Sequence, residues 1–375
     1  MALRREALPV LATWTLVALW TVWWTWQMWP VSGLSWHFFA DGSRLLVHGS
    51  GLNLYADHPE LQIGPLSLAV ASVLSPLPAG VARSVALVAM TAVGPLLIAA
   101  LAPLVARPGR HRRVVVAAML FIPAWTVLSV RWGHLDDVLA MAFAILAVRA
   151  VCADRTVLAG LALAAAIAAK PWAVGFLPLL WALPRGRLRA AATAAAGTAA
   201  AWAPFVLANS RTFGALHPRV GLSQASGLYT LGARGQIVPA WGRTVQLVLA
   251  PAAALAVALT RRWPGVLLVA VAVRLALDPQ DNAYYIGSAA LAAAVFDLLG
   301  TGWTIPWTTL GTVVVLWQPF VRDYAHRLQT TTGLTHWWFA HEQSVGALHL
   351  IWSVVVVVLV FAMAPPPGRK PAAAH

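Results

Sequence analysis

Apolar stretches recur along almost the whole chain and leave no room for a separate soluble domain. A helix needs about 20 apolar residues to cross a bilayer, within a range of about 17–25. The sequence predicts an all-α polytopic membrane protein, one integral membrane domain over residues 1–375. We expect about 12 transmembrane or re-entrant helices, within limits of about 10–13. The apolar segments are 8–28, 64–78, 81–106, 114–131, 137–151, 157–184, 190–208, 243–260, 264–277, 285–300, 303–319 and 346–363.

The composition argues against a soluble enzyme, because 10% of the residues are charged where a soluble domain has about 25%. The net charge of +14 would suggest nucleic acid in a soluble protein. In a membrane protein, basic residues hold cytoplasmic loops against anionic headgroups, so we expect no nucleic-acid partner. The single cysteine, Cys152, excludes an intramolecular disulfide and a cysteine-based metal site. We expect no cofactor and no metal, and we interpret 8–28 as an uncleaved first helix.

Acidic and basic residues fall in different loops. Seven of the 12 acids lie in four polar loops, at 29–63, 209–242, 278–284 and 320–345. Arginines gather in the short turns 107–113, 185–189 and 261–262, and the tail 364–375 is also basic. The separation indicates that one membrane face carries the chemistry and the other anchors the protein.

The positive-inside rule orients the chain with both termini cytoplasmic and the four polar loops outside. Two arrangements satisfy this orientation. In the first, 64–78 re-enters without crossing and 157–184 divides into two short helices at Lys170, before Pro171. In the second, 64–78 crosses and 157–184 is one kinked helix. The first leaves more Lys and Arg inside and places 133–137 with the large loops; the second places 133–137 in the cytoplasm.

The first polar loop contains a predicted amphipathic helix at the membrane surface, around Phe38 and Leu46. Asp41 would lie on its polar side, one turn from His37. A carboxylate beside an imidazole is a suitable general base for a hydroxyl acceptor. The alternative is that Asp41 pairs with Arg44 or caps the helix.

Four stretches together resemble the C-type membrane glycosyltransferases, most closely the polyprenol-phosphate-mannose-dependent mannosyltransferases of actinobacteria (glycosyltransferase family 87). The resemblance covers most of the chain, although each motif is degenerate. The four stretches are ADGSRLLVHG at 40–49 with LY at 54–55 and IGPL at 63–66; RWGHLDD at 131–137; AGLA at 159–162 with AAKPW at 168–172; and RLALDPQDNAYY at 274–285.

The resemblance implies transfer of a hexose from a polyprenyl-phosphate donor to a glycolipid or glycan acceptor on the outer face. It also implies a catalytic carboxylate in the first outer loop. Members of the family tend to have an aspartate soon after the first helix, but this stretch near Ser35 lacks one. The nearest is Asp41, with Asp57 as the second candidate, so a catalytically inactive protein of the same fold is an alternative.

Further polar residues are candidate substrate ligands. Lys170 in an apolar segment needs a partner, either a lipid phosphate or a nearby aspartate, unless it snorkels to the interface. Tyr284 and Tyr285 could stack on a sugar or belong to an aromatic belt. An arginine fork binds phosphate bidentately, which favours Arg44 as a donor ligand. The full set is Arg44, His58, Glu60, His134, Asp136, Asp137, Lys170, Asp278, Gln280, Asp281, Tyr284, Tyr285 and His336.

The competing function is a multi-helix transporter or lipid flippase. Transporters place polar residues at the bilayer midplane, on broken helices in repeated halves. Here the polar residues gather in loops, and the halves show no convincing repeat. Lys170 and Arg274 are the best midplane candidates.

Overall fold

The computed structural model describes residues 2–105, 109–216, 220–328, 336–337 and 340–363. These residues form helices joined by loops, and β pairing among them is limited to one bridge between Gly221 and Ile237. The predicted all-α class is therefore confirmed for the described part of the chain. Its α-helices are α1 (Ala2–Met28), α2 (Trp36–His48), α3 (Leu54–Asp57), α4 (Pro65–Ser72), α5 (Ala79–Leu101), α6 (Arg110–Thr126), α7 (Leu135–Cys152), α8 (Thr156–Ala169), α9 (Arg187–Ala208), α10 (Gly227–Thr230), α11 (Ala240–Leu259), α12 (Val266–Ala276), α13 (Tyr285–Gly300), α14 (Trp307–Leu328) and α15 (Glu342–Ala362).

Ten apolar helices suit a membrane environment to different degrees. Five are long and apolar enough to cross a bilayer: Ala79–Leu104, Arg110–Trp132, Arg187–Ala208, Trp241–Leu259 and Glu342–Ala362. Five others are shorter: Thr156–Ala169, Pro171–Ala182, Trp263–Ala276, Tyr285–Gly300 and Trp307–Trp317. These helices are consistent with a helical membrane protein. The count of about 12 spans stays a prediction.

The bundle has two ends. We call the end that contains the first polar loop, 29–63, the loop end, and the end that contains the turn 261–262 the basic end. At the loop end, the backbone N–H of Gly33 donates to the carbonyl of Val130 at 2.8 Å. A second bond, from the backbone N–H of Ser35 to the carbonyl of Trp132 at 2.8 Å, joins the first polar loop to the stretch 132–137. At the basic end, Arg262 Nε donates to the carbonyl of Met363 at 2.8 Å. Among the described residues, the first polar loop therefore lies at one end of the bundle and the basic turn 261–262 at the other.

The segment 64–78 starts and finishes at the loop end. Its first residue, Gly64, donates its N–H to the carbonyl of Ala169 at 3.1 Å. Just beyond the segment, Arg83 in α5 donates to the carbonyl and the hydroxyl of Ser32. The helix α4 is only eight residues long, which is compatible with the first predicted arrangement. Whether 64–78 re-enters or crosses the bilayer stays a prediction.

The segment 157–184 folds back on itself at Lys170. The helix α8 ends at Ala169 and a 3-10 helix, Pro171–Ala182, follows it. Lys170 is extended (φ −147°, ψ 112°) because the following proline disfavours helical geometry in the residue before it. A Cβ added to Gly186 would lie 2.9 Å from the side chain of Thr156, so the two arms begin and end together. Lys170 is therefore the tip of a helical hairpin that points to the loop end.

The boundaries of the last predicted loop, 320–345, differ from the structure. The helix α14 continues to Leu328, and α15 starts at Glu342. The charged residues after Pro319 suggested a loop, but arginine, alanine and leucine are good helix formers, so the helix extends beyond its apolar part. The predicted tail, 364–375, lies outside the described residues.

Candidate functional site

A surface cavity of about 370 Å³ opens at the loop end. One wall is the polar side of α2, and the other is the apolar stretch between α4 and the start of α5. Its lining residues are Gly33, Trp36, His37, Ala40, Asp41, Ser43, Arg44, Ala71, Leu74, Ser75, Leu77, Ala79, Gly80, Ala82 and Arg83. The predicted amphipathic helix thus exists, and it presents Asp41 to a cavity.

Asp41 pairs with Arg44 in the surface cavity. Arg44 Nη2 lies 3.0 Å from Asp41 Oδ1, and the two side chains are 64% and 56% exposed. The imidazole of His37 contacts Phe38 with the rings tilted by 39° and their centroids 4.0 Å apart. Of the two predicted situations for Asp41, the ion pair with Arg44 is the one present.

Arg83 is a cavity residue that the sequence analysis missed. It comes from the first turn of α5, and its guanidinium is held by the carbonyl and hydroxyl of Ser32. Gly33 has a φ of +64°, and a Cβ there would collide with the Arg83 side chain. The sequence did contain a sign of this role, because Arg83 is a charged residue near the start of an apolar helix. Such a residue rarely lacks a partner.

A second, inner cavity of about 220 Å³ lies on the other side of α2. Its lining combines charged, amide and aromatic side chains. The lining residues are Phe38, Phe39, Glu60, Leu61, Gln62, Ile63, His134, Asp136, Lys170, Val220, Arg243, Gln280, Asn282, Tyr284 and Tyr285. The helix α2 is therefore shared between the two cavities.

Two buried carboxylates lie at the inner cavity, Asp136 in its lining and Asp137 behind it. A π-helical turn, Val127–Trp132, ends α6, and Gly133 then turns the chain with a φ of +66°. Asp136 and Asp137 follow in the first turn of α7, where negative charge is favourable. Asp136 Oδ1 also accepts the backbone N–H of Asp137 at 2.8 Å.

His134 and Lys170 compensate these carboxylates. His134 Nδ1 lies 2.9 Å from Asp136 Oδ1 and 3.2 Å from Asp137 Oδ2. Lys170 Nζ is paired with Asp136 and lies 3.4 Å from Asp137 Oδ2. Of the predicted partners for Lys170, the aspartates are therefore the ones present, because the hairpin tip carries its ammonium to the start of α7.

His134 lies between the π-helical turn and α7, outside the membrane-length helices. Burial alone lowers the pKa of His134, but the carboxylates of Asp136 and Asp137 outweigh it, so the pKa lies above its ordinary value. When it is protonated, the imidazole shares the charge compensation with Lys170.

A second buried network lies behind the inner cavity. The guanidinium of Arg274 is between the rings of Trp172 and Tyr285, at 4.4 and 4.5 Å from their centroids. Arg274 Nη2 lies 3.6 Å from Asp278 Oδ2, and the hydroxyl of Tyr285 donates to Asp278 Oδ1 at 3.1 Å. Trp172 Nε1 also donates to Asp137 Oδ1 at 3.1 Å, which joins the two networks.

Arg243 connects this network to the inner cavity. Its Nη1 donates to Gln246 at 2.9 Å and lies 3.9 Å from Asp278 Oδ2, while its Nη2 donates to Gln62 at 3.2 Å. The sequence did not single out Arg243, Gln62, Gln246 and Asn282 as site residues, because neutral amides and an arginine at the start of an apolar helix are common without a ligand.

The predicted site residues fall into three groups. His37, Asp41 and Arg44 line the surface cavity. The inner cavity brings together Glu60, His134, Asp136, Lys170, Gln280, Tyr284 and Tyr285, with Asp137 and Asp278 behind it. Asp57 and His336 are exposed and Asp281 is half-buried, and none of the three lines a cavity; His58 joins the rim through Glu60 at 3.4 Å.

A metal ion would find one possible ligand set among the described residues. The set consists of three donor atoms, one each from His134, Asp136 and Asp137, and all three lie within 4.8 Å of one another. The ammonium of Lys170 already pairs with both carboxylates. A cation would have to displace it, and we assign no metal to this set.

The chain matches no protein family model, no curated protein and no solved structure. The geometry and chemistry of the two cavities are therefore the guide to function.

Proposed function

We propose that the protein is a membrane glycosyltransferase. It transfers a hexose, with mannose the first sugar to test, from a polyprenyl phosphate to a lipid or cell-envelope glycan acceptor at the outer face. The observation that carries this proposal is the surface cavity, which places Asp41 and two arginines against an apolar wall.

The surface cavity suits a lipid with an anionic headgroup. Arg44 is balanced by Asp41, whereas Arg83 is held by the neutral Ser32, so the lining has an excess positive charge. The opposite wall, with Leu74 and Leu77, is apolar. A prenyl chain would pack on that wall while its phosphate lies between Arg44 and Arg83, and arginine binds phosphate in a bidentate manner.

Asp41 is the proposed general base. Donor phosphate would compete for Arg44 and free the carboxylate, since an exposed ion pair is worth about 1 kcal/mol or less. Asp41 then accepts the proton of the acceptor hydroxyl, whose oxygen attacks the anomeric carbon. The bond from that carbon to the phosphate oxygen breaks, and polyprenyl phosphate leaves with the electron pair.

The outer face is assigned from charge. The basic end carries the arginine-rich turns, and such turns stay in the cytoplasm. The loop end, with both cavities, then faces outside, where lipid-linked sugars rather than nucleotide sugars are the donors that this proposal requires.

A transporter or flippase is the second candidate, and one observation favours it. Lys170 lies at the tip of a helical hairpin and pairs with buried aspartates at another helix start. Broken helices with buried ionisable residues are typical of transport sites. A catalytically inactive protein is the third candidate, since the stretch near Ser35 lacks the aspartate that members of the resembled family tend to have soon after the first helix.

Reconstitution tests the proposal. Purified protein in proteoliposomes receives radiolabelled polyprenyl-phosphate mannose and a glycolipid extract, and label in the glycolipid fraction is measured. We expect label transfer with the wild-type protein and background with empty liposomes. Movement of intact donor between leaflets without transfer would favour the transporter.

A further inference from the structure

The inner cavity is chemically different from the surface cavity, and the difference concerns net charge. Among the side chains that line it and those that pair with them, Lys170, Arg243 and Arg274 are matched by three carboxylates. The carboxylates are Asp136, Asp137 and Asp278. The remaining titratable groups of the lining are His134, which contacts both Asp136 and Asp137, and Glu60, which contacts His58 at the rim.

We infer that the inner cavity binds an uncharged, polyhydroxylated ring, a sugar unit of the acceptor. This inference depends on the proposed function, because it identifies the ring with the acceptor of that reaction. Charged ligands fit poorly, since an anion would have to take Lys170 from Asp136 and Asp137. Breaking a buried pair leaves an uncompensated charge, which is strongly unfavourable.

Three neutral amides in the lining each use one end of the side chain inside the protein and can offer the other end to a ligand. Gln62 accepts from Arg243, Asn282 donates to the hydroxyl of Tyr285, and Gln280 donates to the carbonyl of Gly221. The amides of Gln62, Gln280 and Asn282 reach the cavity from two different loops. Amides both donate and accept, as sugar hydroxyls do. Phe38 and Tyr284 supply aromatic surface for the apolar faces of a sugar ring.

The position of α2 also supports the inference. Phe38 and Phe39 face the inner cavity, while His37, Asp41 and Arg44 face the surface cavity. One short helix thus separates a net positive, half-apolar cavity from a charge-balanced one. That difference fits a lipid phosphate on one side and a neutral ring on the other.

Saturation-transfer NMR with methyl α-mannoside on the purified full-length protein tests the inference. We expect binding to the wild type, and binding about threefold to tenfold weaker in Asn282→Leu and in Gln62→Leu, because each removes a hydrogen-bonding amide. Asn53→Leu, an exposed amide outside both cavities, is the matched control and should bind normally. Thermal unfolding of each variant establishes that it is folded.

Three results would overturn the inference: no binding by the wild type, equal binding by the cavity variants and the control, or displacement of the mannoside by inorganic phosphate. The test needs no transfer, so it separates the two proposals. If the protein bound the mannoside in a way that depends on Asn282 but never transferred label, the sugar-binding site would stand and the proposed transferase activity would be wrong.

Discussion

Arg44 Nη2 lies 3.0 Å from Asp41 Oδ1 on one turn of α2, and both side chains are more than half exposed. This pair differs from Lys170 and Asp136, which are enclosed at the floor of the inner cavity. An exposed pair is worth about 1 kcal/mol or less, whereas removing one partner of a buried pair costs about 3–5 kcal/mol. The first pair can therefore open during a reaction, and the second maintains the structure.

Replacing Asp41 by Asn should abolish transfer and leave folding intact. The amide keeps the size of the side chain and removes its basicity, and loss of a general base costs about a hundredfold to ten-thousandfold in rate. Label transfer in proteoliposomes measures this effect. Asp57→Asn is the control, because Asp57 is exposed and lines neither cavity. Near-normal turnover in Asp41→Asn would exclude Asp41 as the base, and a dead Asp57→Asn would assign that role to Asp57.

Replacing Arg44 or Arg83 by Lys should weaken the apparent affinity for the donor more than that for the acceptor. Lysine keeps the charge but cannot form the bidentate contact with phosphate. The measurement is a donor titration at fixed acceptor. Arg234→Lys is the matched control, since Arg234 stacks on Tyr229 away from both cavities. If the apparent affinity for the donor were unchanged in both variants, the donor phosphate would not bind in the surface cavity.

Replacing Lys170 by Met should destabilise the protein by about 3–5 kcal/mol, because it leaves Asp136 and Asp137 with His134 alone. Thermal unfolding in detergent measures the loss. Adding Asp136→Asn to this variant should restore part of the stability, since one carboxylate then remains for one imidazole. An equal loss in Arg44→Met, which breaks an exposed pair, would contradict the distinction between the two pairs.

Cysteine labelling tests which end of the bundle faces outside. In a Cys152→Ser background, Leu52→Cys at the loop end should react with an impermeant thiol reagent added outside. Arg187→Cys at the basic end should be protected until the membrane is opened. Both positions are exposed in the structure. The reverse pattern would invert the orientation and place both cavities in the cytoplasm.

Hydrophobicity, proline and charge in the sequence were enough to predict the helical class and the break at Lys170. The surface position of Asp41 also followed from sequence, because a local amphipathic helix depends on spacing that the sequence displays. The break at Lys170 was predictable because Pro171 disfavours helical backbone geometry in the residue directly before it.

Contacts between distant segments could not be predicted in the same way. Arg83 meets Ser32, and Arg243 meets Gln62, only because α5 and α11 pack near the first loop. The amides of the inner cavity come from loops more than 200 residues apart in sequence, Gln62 on one side and Gln280 on the other. The charged end of α14 also showed that polarity alone does not mark the end of a helix.

Product stoichiometry tests the central claim most directly. In the same proteoliposomes, the polyprenyl phosphate released and the sugar attached to the glycolipid are quantified together. A glycosyltransferase of the proposed kind must produce the two in equal amounts, and Asp41→Asn must produce neither. Donor that stays intact in the presence of folded protein and acceptor would contradict the account.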